Sequence, residues 1–116
     1  MNNLNSVLIE GTINGKPEIK TKDGIMTCVF YAASNRIGNR FEKETSFFKV
    51  ETTGKLAEIM MAKGHDGRGI RIVGRLKQNW WKDDDKELQS EIVIIPEHVE
   101  FTPEFKNKGV KNDNNP

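Results

Sequence analysis

The fold is decided by residues 45–78, which read TSFFKVETTGKLAEIMMAKGHDGRGIRIVGRLKQ. Aromatic and β-branched residues alternate with polar ones over 45–53 and again over 69–78, which is typical of half-buried β-strands. Between these segments, GKLAEIMMAKG carries apolar residues at i, i+3 and i+4 spacing, and Gly64 stands where a helix would end. The stretch therefore predicts a strand, one short helix and a second strand.

Three further strand patterns flank this unit. Apolar and polar residues alternate over 7–13, and the segment 26–34, MTCVFYAAS, is rich in aromatic, β-branched and small residues. The segment 90–101, SEIVIIPEHVEF, predicts a fifth strand, in which Pro96 marks a bulge, an edge or a break. The chain thus carries five predicted strands and one helix.

Turn signals separate the predicted strands. NGKPE (14–18) and KDG (22–24) follow the first strand, IGN (37–39) follows the second, and HDGRG (65–69) precedes the fourth. Glycine, proline and asparagine are enriched in turns because they tolerate or preset the required backbone angles. We therefore expect the first strand to end near residue 13.

Five strands with one short helix between the third and the fourth is the element order of an OB-fold, a partly open Greek-key barrel. The predicted class is all-β with a small α content, and the lack of regular strand and helix alternation disfavours a doubly wound α/β fold. Residues 1–104 are predicted to form this OB-fold domain. Residues 105–116 are polar and rich in Gly and Asn, which predicts a short disordered tail.

Composition narrows the functional classes. The chain has 116 residues, 35% of them hydrophobic and 30% charged, which suits one globular domain. No apolar run approaches the roughly 20 residues of a membrane span, and the N-terminus lacks the pattern of a signal peptide. We therefore expect no membrane association, and residence in the cytoplasm.

Catalytic and metal-binding motifs are absent from the sequence. Cys28 is the only cysteine, and His65 and His98 lie far from it in the chain. No Gly-rich phosphate loop precedes a helix, and no Ser or Cys has a nucleophile motif around it. The run of aspartates at 83–85 is a poor Mg²⁺ site, because consecutive residues of an extended chain point alternately apart. The sequence predicts a protein without enzymatic activity, metal or cofactor.

Charge is distributed unevenly, although the net charge is only +1. Residues 63–82 carry six Lys or Arg against one Asp, a balance of +5, whereas residues 83–104 carry eight acids against one Lys, a balance of −7. A basic stripe on one element attracts a polyanion more than the total charge suggests, since the field decays over about 10 Å. The same charges also suit a solvated strand face.

Alternation along the fourth strand divides the chain's only two tryptophans between two faces. Trp81 shares a face with Arg75 and Lys77, whereas Trp80 continues the apolar side that includes Leu76. Trp81 is therefore expected among basic residues outside the barrel and Trp80 toward the core. Alternatively, the two rings form a cross-strand cluster that stabilises the hairpin.

The third strand repeats this division. Phe47 shares a face with Lys49 and Glu51, while Phe48 shares the opposite face with Val50. We therefore expect Phe47 outside the barrel and Phe48 in the core. An exposed aromatic ring beside basic groups is the arrangement that unpaired nucleic acid requires, because every base offers a face for stacking and every linkage a phosphate.

The connection RIGNRFEKE (36–44) adds a second basic segment with an aromatic residue, Phe41, in it. Phe41 is either a further stacking residue or a loop anchor that packs back on the sheet. The predicted stacking residues are Phe47, Trp81, Trp80 and Phe41. The predicted phosphate-binding residues are Arg36, Arg40, Lys49, Lys55, Arg71, Arg75 and Lys77.

The chain resembles the bacterial single-stranded DNA-binding proteins of DNA replication, recombination and repair. The resemblance covers residues 4–101 and is carried by five segments in order: NSVLIEG (5–11), ETSFFKV (44–50), GKLAE (54–58), RIVGRLKQ (71–78) and EHVEF (97–101). It implies an OB-fold that binds single-stranded DNA without sequence preference and forms a homo-oligomer, usually a tetramer. Phe47 and Trp81 fall at the family's base-stacking positions.

The chain also departs from the family pattern. Thr53 and Ile37 stand where the family often has aromatic residues, so Phe41 or Trp80 is the candidate replacement. The family's acidic and hydrophobic C-terminal tip is not found in VKNDNNP (110–116), so recruitment of replication or repair proteins through a tail is not expected. The alternative to DNA binding is an OB-type module for protein interaction or primosome assembly, whose aromatic face docks a protein.

Overall fold

The computed structural model of the chain describes residues 1–103 and contains five strands and one helix in that range. The elements are β1 (Val7–Lys22), β2 (Ile25–Ile37), β3 (Lys43–Thr53), α1 (Gly54–Lys63), β4 (Gly69–Lys82) and β5 (Leu88–Phe101). The predicted element order is confirmed. The predicted tail, 105–116, lies outside the described residues.

The strands form a closed barrel in the order β1, β2, β3, β5, β4. β1 closes it, because Val7–Thr12 pair with β4 whereas the strand from Thr12 onward pairs with β2. β3 and β5 run parallel and share a single paired position, Val50 with Ile94. This topology confirms the expected OB-fold barrel, and its one sparsely paired seam lies between β3 and β5.

The core collects the inward side chains of the barrel and one face of α1. Ala57 and Met60 of the helix are fully buried, and Gly64 ends the helix with its amide donating to the carbonyl of Met60 at 2.8 Å. The other buried members are Ile13, Cys28, Phe30, Ala32, Val50, Ile70, Ile72 and Ile94. Burial of these side chains stabilises the barrel by roughly 1.5–3 kcal/mol for each large one.

The first strand is longer than its sequence predicts. Instead of turning at Asn14–Glu18, β1 continues through a register shift at that point and ends at Lys22. Gly15 adopts a positive φ of 83° there, so the glycine and proline of this segment mark a bulge within a strand. The true turn is at Asp23 and Gly24, both with positive φ, as a two-residue hairpin requires.

The hairpin of β4 and β5 extends beyond the barrel, and both tryptophans lie in strand β4, before the turn. The register shift of this pair leaves Glu97 of β5 without a partner, next to Pro96, so one of the predicted roles of Pro96, a bulge, is confirmed. Because the extra residue belongs to β5, the alternation of β4 continues without interruption to Trp81.

Two residues expected in the core are not buried. Trp80 keeps the inward parity but is 58% exposed, and Phe48 is exposed at the edge of the same side of the sheet. For Trp80 the cause is the length of the hairpin: side chains beyond Leu76 point to the inner side of strands that have already left the barrel. Phe48 lies in the part of β3 that pairs with β2 alone, so no paired strand covers it on the other side. The expectation that Trp80 and Phe48 are core residues is therefore wrong.

Candidate nucleic-acid interface

A groove of about 670 Å³ opens on the outer face of the barrel, where β2 and β3 meet the projecting hairpin. The side chains that line it come from all five strands. They are Lys20, Thr27, Val29, Lys49, Glu51, Thr53, Lys77, Asn79, Trp80, Trp81 and Glu91. Three of these side chains are cationic and two are anionic. Trp81 forms an aromatic wall of the groove, and Lys49, Glu51, Asn79 and Glu91 form its polar floor.

Trp81 supplies the aromatic wall of the groove. It is 45% exposed, lies opposite Gln89 in the β4 and β5 register, and shares its face with Lys77 and Asn79. Phe47 is 58% exposed on the outer face of β3, opposite Ala33 of β2. It stands two residues from Lys49, roughly 7 Å along the strand. Two exposed aromatic rings therefore flank the groove on different strands.

Trp80 projects from the opposite side of the hairpin, across from Ser90. It reaches the rim of the groove, where it contributes to the lining together with Trp81. Its inner-side neighbours are uncharged: Gln78 donates a hydrogen bond to the hydroxyl of Ser90 at 3.2 Å, and Ile92 is exposed beside them. The hairpin thus carries one tryptophan on each face, and Trp81 alone stands among polar groups of the groove floor.

Lys49 is held by a carboxylate. Its Nζ lies 3.2 and 3.1 Å from the two side-chain oxygens of Glu91. Burial by itself lowers the pKa of Lys49, but the hydrogen bond and the charge of Glu91, with smaller contributions from Tyr31 and Glu51, raise that pKa above its ordinary value. Lys49 stays protonated, and its charge is balanced within the protein.

A second polar contact crosses the groove floor. Asn79 of β4 donates from Nδ2 to Oε2 of Glu51 on β3 at 3.2 Å. Both side chains are partly buried. With the pair formed by Lys49 and Glu91, this contact links β3 to the hairpin where backbone pairing is limited to Val50 and Ile94.

Lys77 and Arg75 are the basic groups of β4 that remain available near the groove. Lys77 lines it directly, and Arg75 is exposed two residues earlier on the same face. Neither side chain forms an ion pair within residues 1–103. Both can therefore bind a phosphate without first releasing a protein partner.

Arg71 lies on the same outer face of β4 as Arg75 and Lys77, but its surroundings differ. Its guanidinium contacts Glu10 of β1 at 2.7 Å and Glu100 of β5 at 3.7 Å. Hydrogen bonding to Glu10 raises the pKa of Arg71 above its ordinary value. Lys77 follows Arg71 by six positions, about 20 Å along the strand. The structure therefore does not bring Arg71 together with the groove.

The remaining candidates lie around the groove. Phe41 is 89% exposed and has a φ of 63° in the connection between β2 and β3, so it does not pack back on the sheet. Arg36 and Arg40 are exposed beside it. Lys55 is exposed in the first turn of α1 and does not line the groove.

Several groove residues escaped the sequence reasoning. Lys20 was missed because the segment 14–18 predicted a turn, whereas the strand in fact runs on to carry Lys20 into the groove. Glu51 and Asn79 were placed on the right faces but carried no functional signal, since neither fits a motif. Glu91 was counted only as part of an acidic region. Only the packing of the hairpin against β3 brings these residues together.

The turn that ends the hairpin is organised by Asp83. Its Oδ1 accepts hydrogen bonds from the backbone amides of Asp85 and Glu87 at 2.9 Å, and its Oδ2 accepts from Gln89 at 3.0 Å. The bond from Glu87, with those from Gln89 and Asp85, lowers the pKa of the Asp83 carboxyl despite some desolvation. Because Gln89 lies opposite Trp81, this turn supports the aromatic wall.

The comparison with protein families matches residues 4–102 to the model described as "Single-strand binding protein family". The "Single-stranded DNA-binding protein" of Aquifex aeolicus (strain VF5) is 34% identical over 101 residues, which cover 83% of this chain and 68% of that protein. "Single-stranded DNA-binding protein 1" of Synechocystis sp. is 33% identical over 81 residues, covering 69% of this chain and 67% of that protein.

Among solved structures, the chain is similar to one titled "Plasmodium falciparum SSB complex with ssDNA". The TM-score is 0.77 at 19% identity, and the match covers 89% of this chain and 98% of the other. At this identity the likeness concerns the fold, and it agrees with the barrel described above. Within residues 1–103, no helix is long and apolar enough to cross a membrane.

Proposed function

The chain belongs to the single-strand binding protein family, and on that premise we propose that it binds and protects single-stranded DNA during replication, recombination and repair. Its activity is binding, not catalysis. Its stacking and phosphate contacts require no defined sequence, since they depend on features that every nucleotide shares.

One observation carries this proposal: exposed aromatic rings on two strands flank a groove with unpaired basic groups beside it. Trp81 and Phe47 offer faces for bases, and Lys77 and Arg75 stand on the same outer face as Trp81. Exposing rings of this size in water is unfavourable unless a ligand covers them. Stacking of one base on an aromatic ring contributes about 1–3 kcal/mol, which offsets that cost.

We assign the principal stacking roles to Phe47 and Trp81. Trp80 at the groove rim and Phe41 at the tip of the 38–42 connection are secondary stacking candidates, supported by their exposure. Arg75 and Lys77 are the phosphate ligands closest to Trp81. The other predicted phosphate ligands are Arg36, Arg40, Lys49, Lys55 and Arg71.

Lys49 and Arg71 differ from the rest of that set. Each already contacts a carboxylate, so each must exchange or share its partner before it can bind a phosphate. Arg36 and Arg40 are exposed near Phe41. They can bind the phosphates of a single-stranded DNA that leaves the groove toward the connection between β2 and β3. We therefore expect the phosphate chain to pass Lys77 and Arg75 and then the connection, and to avoid the acidic hairpin turn at 83–87.

A titration of intrinsic tryptophan fluorescence tests the function. Single-stranded oligonucleotides should quench the signal strongly and duplexes of the same length weakly, and the logarithm of the binding constant should fall linearly with the logarithm of salt concentration. Failure to bind single strands, with binding of a protein that depends on Trp81, would instead support the alternative of an OB-type interaction or primosome-assembly module.

We also propose that the protein forms a homo-oligomer, with a tetramer as the expected state. Residues 7–11 pair with β4 on one side only, which leaves a strand edge free, and Leu8 on this segment is 67% exposed. Free edges and exposed apolar side chains favour association with a second copy. Sedimentation should give an oligomer at micromolar concentration, and Leu8→Glu should shift it toward the monomer.

The proposed setting is the cytoplasm, in association with the nucleoid, with no cofactor required. The sequence-based expectation that no partner is recruited through an acidic tail concerns residues outside the described range, and it stays a prediction. Deletion of residues 106–116 tests it: single-strand binding should be nearly unchanged, and loss of a captured replication or repair protein would contradict it.

A further inference from the structure

Glu51 is an unexpected residue in the floor of a DNA-binding groove. A carboxylate repels phosphates, yet Glu51 lines the groove on the same face of β3 as Phe47. It is partly buried, and Asn79 fixes one of its oxygens, Oε2, by a hydrogen bond of 3.2 Å. An ordered acid in this position calls for a function other than phosphate binding.

Glu51 forms no direct ion pair within residues 1–103, although its charge helps to raise the pKa of Lys49. The nearest lysine in sequence, Lys49, directs its Nζ to both oxygens of Glu91. The partner of Glu51 is instead the neutral amide of Asn79, and its second oxygen, Oε1, accepts no hydrogen bond from the described residues. Glu51 is thus a positioned hydrogen-bond acceptor with unused capacity.

The acceptor lies beside the proposed stacking wall. Asn79 contacts Glu51 directly and stands two residues before Trp81 on the same face of β4, roughly 7 Å along the strand. A base that stacks on Trp81 can therefore turn one of its hydrogen-bonding edges toward the pair formed by Glu51 and Asn79. The phosphates of the same strand can remain outside, near Lys77.

We propose that Glu51, oriented by Asn79, accepts a hydrogen bond from the exocyclic amino group of a stacked base, so that the groove selects cytosine over thymine. The inference rests on the proposed function and deepens it. Cytosine presents an N4 amino donor at the position where thymine presents the O4 acceptor, and carboxylates are established acceptors for cytosine N4. Thymine would place its O4 against a carboxylate oxygen, two acceptors facing each other.

The pyrimidines make a matched pair of probes. Homopolymers of deoxycytidine and deoxythymidine of equal length carry the same phosphate charge and bases of similar size. Removal of a negative charge from the groove therefore changes affinity for both polymers alike, whereas loss of base recognition changes their ratio. The ratio of the two dissociation constants is the quantity that reports on Glu51.

The experiment compares the wild-type chain with Glu51→Gln at one salt concentration and slightly alkaline pH, where cytosine is unprotonated. Glutamine keeps the shape and the contact with Asn79 but offers a donor as well as an acceptor, so it accommodates both bases. We expect the preference for deoxycytidine over deoxythymidine to fall by about fivefold, the effect of one charge-assisted hydrogen bond in a wet groove. Glu97→Gln, which removes the same charge at the exposed bulge of β5, should leave the ratio unchanged.

Asn79→Ala provides a second variant if Glu51→Gln is poorly folded. It removes the group that orients Glu51 and should lower the same ratio. An unchanged ratio in a folded Glu51→Gln or Asn79→Ala variant would overturn the inference and leave single-strand binding intact. If the wild-type chain bound neither homopolymer, the proposed function itself would be overturned.

Discussion

Lys49 of β3 and Glu91 of β5 form an ion pair with a closest separation of 3.1 Å across the one seam of the barrel where the backbone pairs at a single position. Neighbouring strands elsewhere in the barrel are joined by extended ladders. The contact therefore has two consequences. It supports the seam, and it withdraws from the groove a cation that the sequence assigns to phosphate binding.

Replacement of Glu91 by Gln should release Lys49 for phosphate binding. If Lys49 then engages one phosphate, the slope of log binding constant against log salt should steepen by about 0.7, and affinity at low salt should rise. A salt titration with an oligonucleotide measures both. The double variant Lys49→Met with Glu91→Gln is the control, and it should show no steeper slope than the wild type. A slope that stays unchanged in Glu91→Gln would mean that Lys49 does not reach the phosphates.

The two tryptophans should respond differently to truncation. Trp81→Ala should weaken single-strand binding by about 1–3 kcal/mol with little change in melting temperature, because Trp81 stands on the groove wall. Phe47→Ala should behave in the same way. Isothermal calorimetry and thermal melting of the same samples measure the two effects.

Trp80→Ala is the matched control for the preceding pair of variants. With 58% of Trp80 exposed on the opposite side of the hairpin, its loss should lower binding less than the loss of Trp81 and should cost little stability. If Trp80→Ala weakened binding more than Trp81→Ala, the bound DNA would have to follow the uncharged face of the hairpin.

Two positions on β4 offer a test of which basic residues meet DNA. Lys77→Ala should reduce the magnitude of the salt slope by about 0.7, since Lys77 lines the groove and has no ion-pair partner in the described part of the chain. Arg71→Ala should leave the slope unchanged, because Glu10 and Glu100 already occupy its guanidinium. Equal effects of the two variants on the slope would contradict this division.

Acid should loosen the hairpin turn through Asp83. The hydrogen bonds that lower the pKa of Asp83 stabilise its charged carboxylate. Their contribution to the stability of the turn is therefore fully present above the ordinary aspartate pKa of about 3.9. It is lost as the pH falls through the lower pKa of Asp83 in the folded state. Trp81 fluorescence in a Trp80→Phe background should report this transition, since Gln89 links Asp83 to the strand position opposite Trp81.

Asp83→Asn gives the control for the acid transition. The amide keeps an oxygen acceptor for the turn but carries no titrating charge, so the fluorescence change in this pH range should disappear. Persistence of the same transition in Asp83→Asn would assign it to another carboxylate. The experiment requires that the barrel remain folded over the range, which far-ultraviolet circular dichroism checks.

Much of the architecture was predictable from local patterns. The helix α1 (Gly54–Lys63) and the strands on either side follow from side-chain periodicity, and the turn at Asp23 and Gly24 follows from a dipeptide that tolerates positive φ. The bulge at Asn14–Glu18 has the sequence of a turn, because bulges and turns use the same residues, glycine and proline. Only the pairing of β1 with β2 distinguishes them.

By itself the sequence determined which side chains share a face, because alternation in a strand is a property of the backbone and β4 carries no bulge. That was sufficient to place Phe47 and Trp81 outside the barrel. The tertiary structure alone decided how far the hairpin projects, and hence that Trp80 is exposed. It also left Phe48 exposed, in the part of β3 that pairs with β2 alone. It also decided which charges meet: Lys49 and Glu91 are 42 residues apart in the chain, and their contact depends on the parallel approach of β3 and β5. Such long-range neighbours arise from strand order around the barrel, which no local pattern encodes.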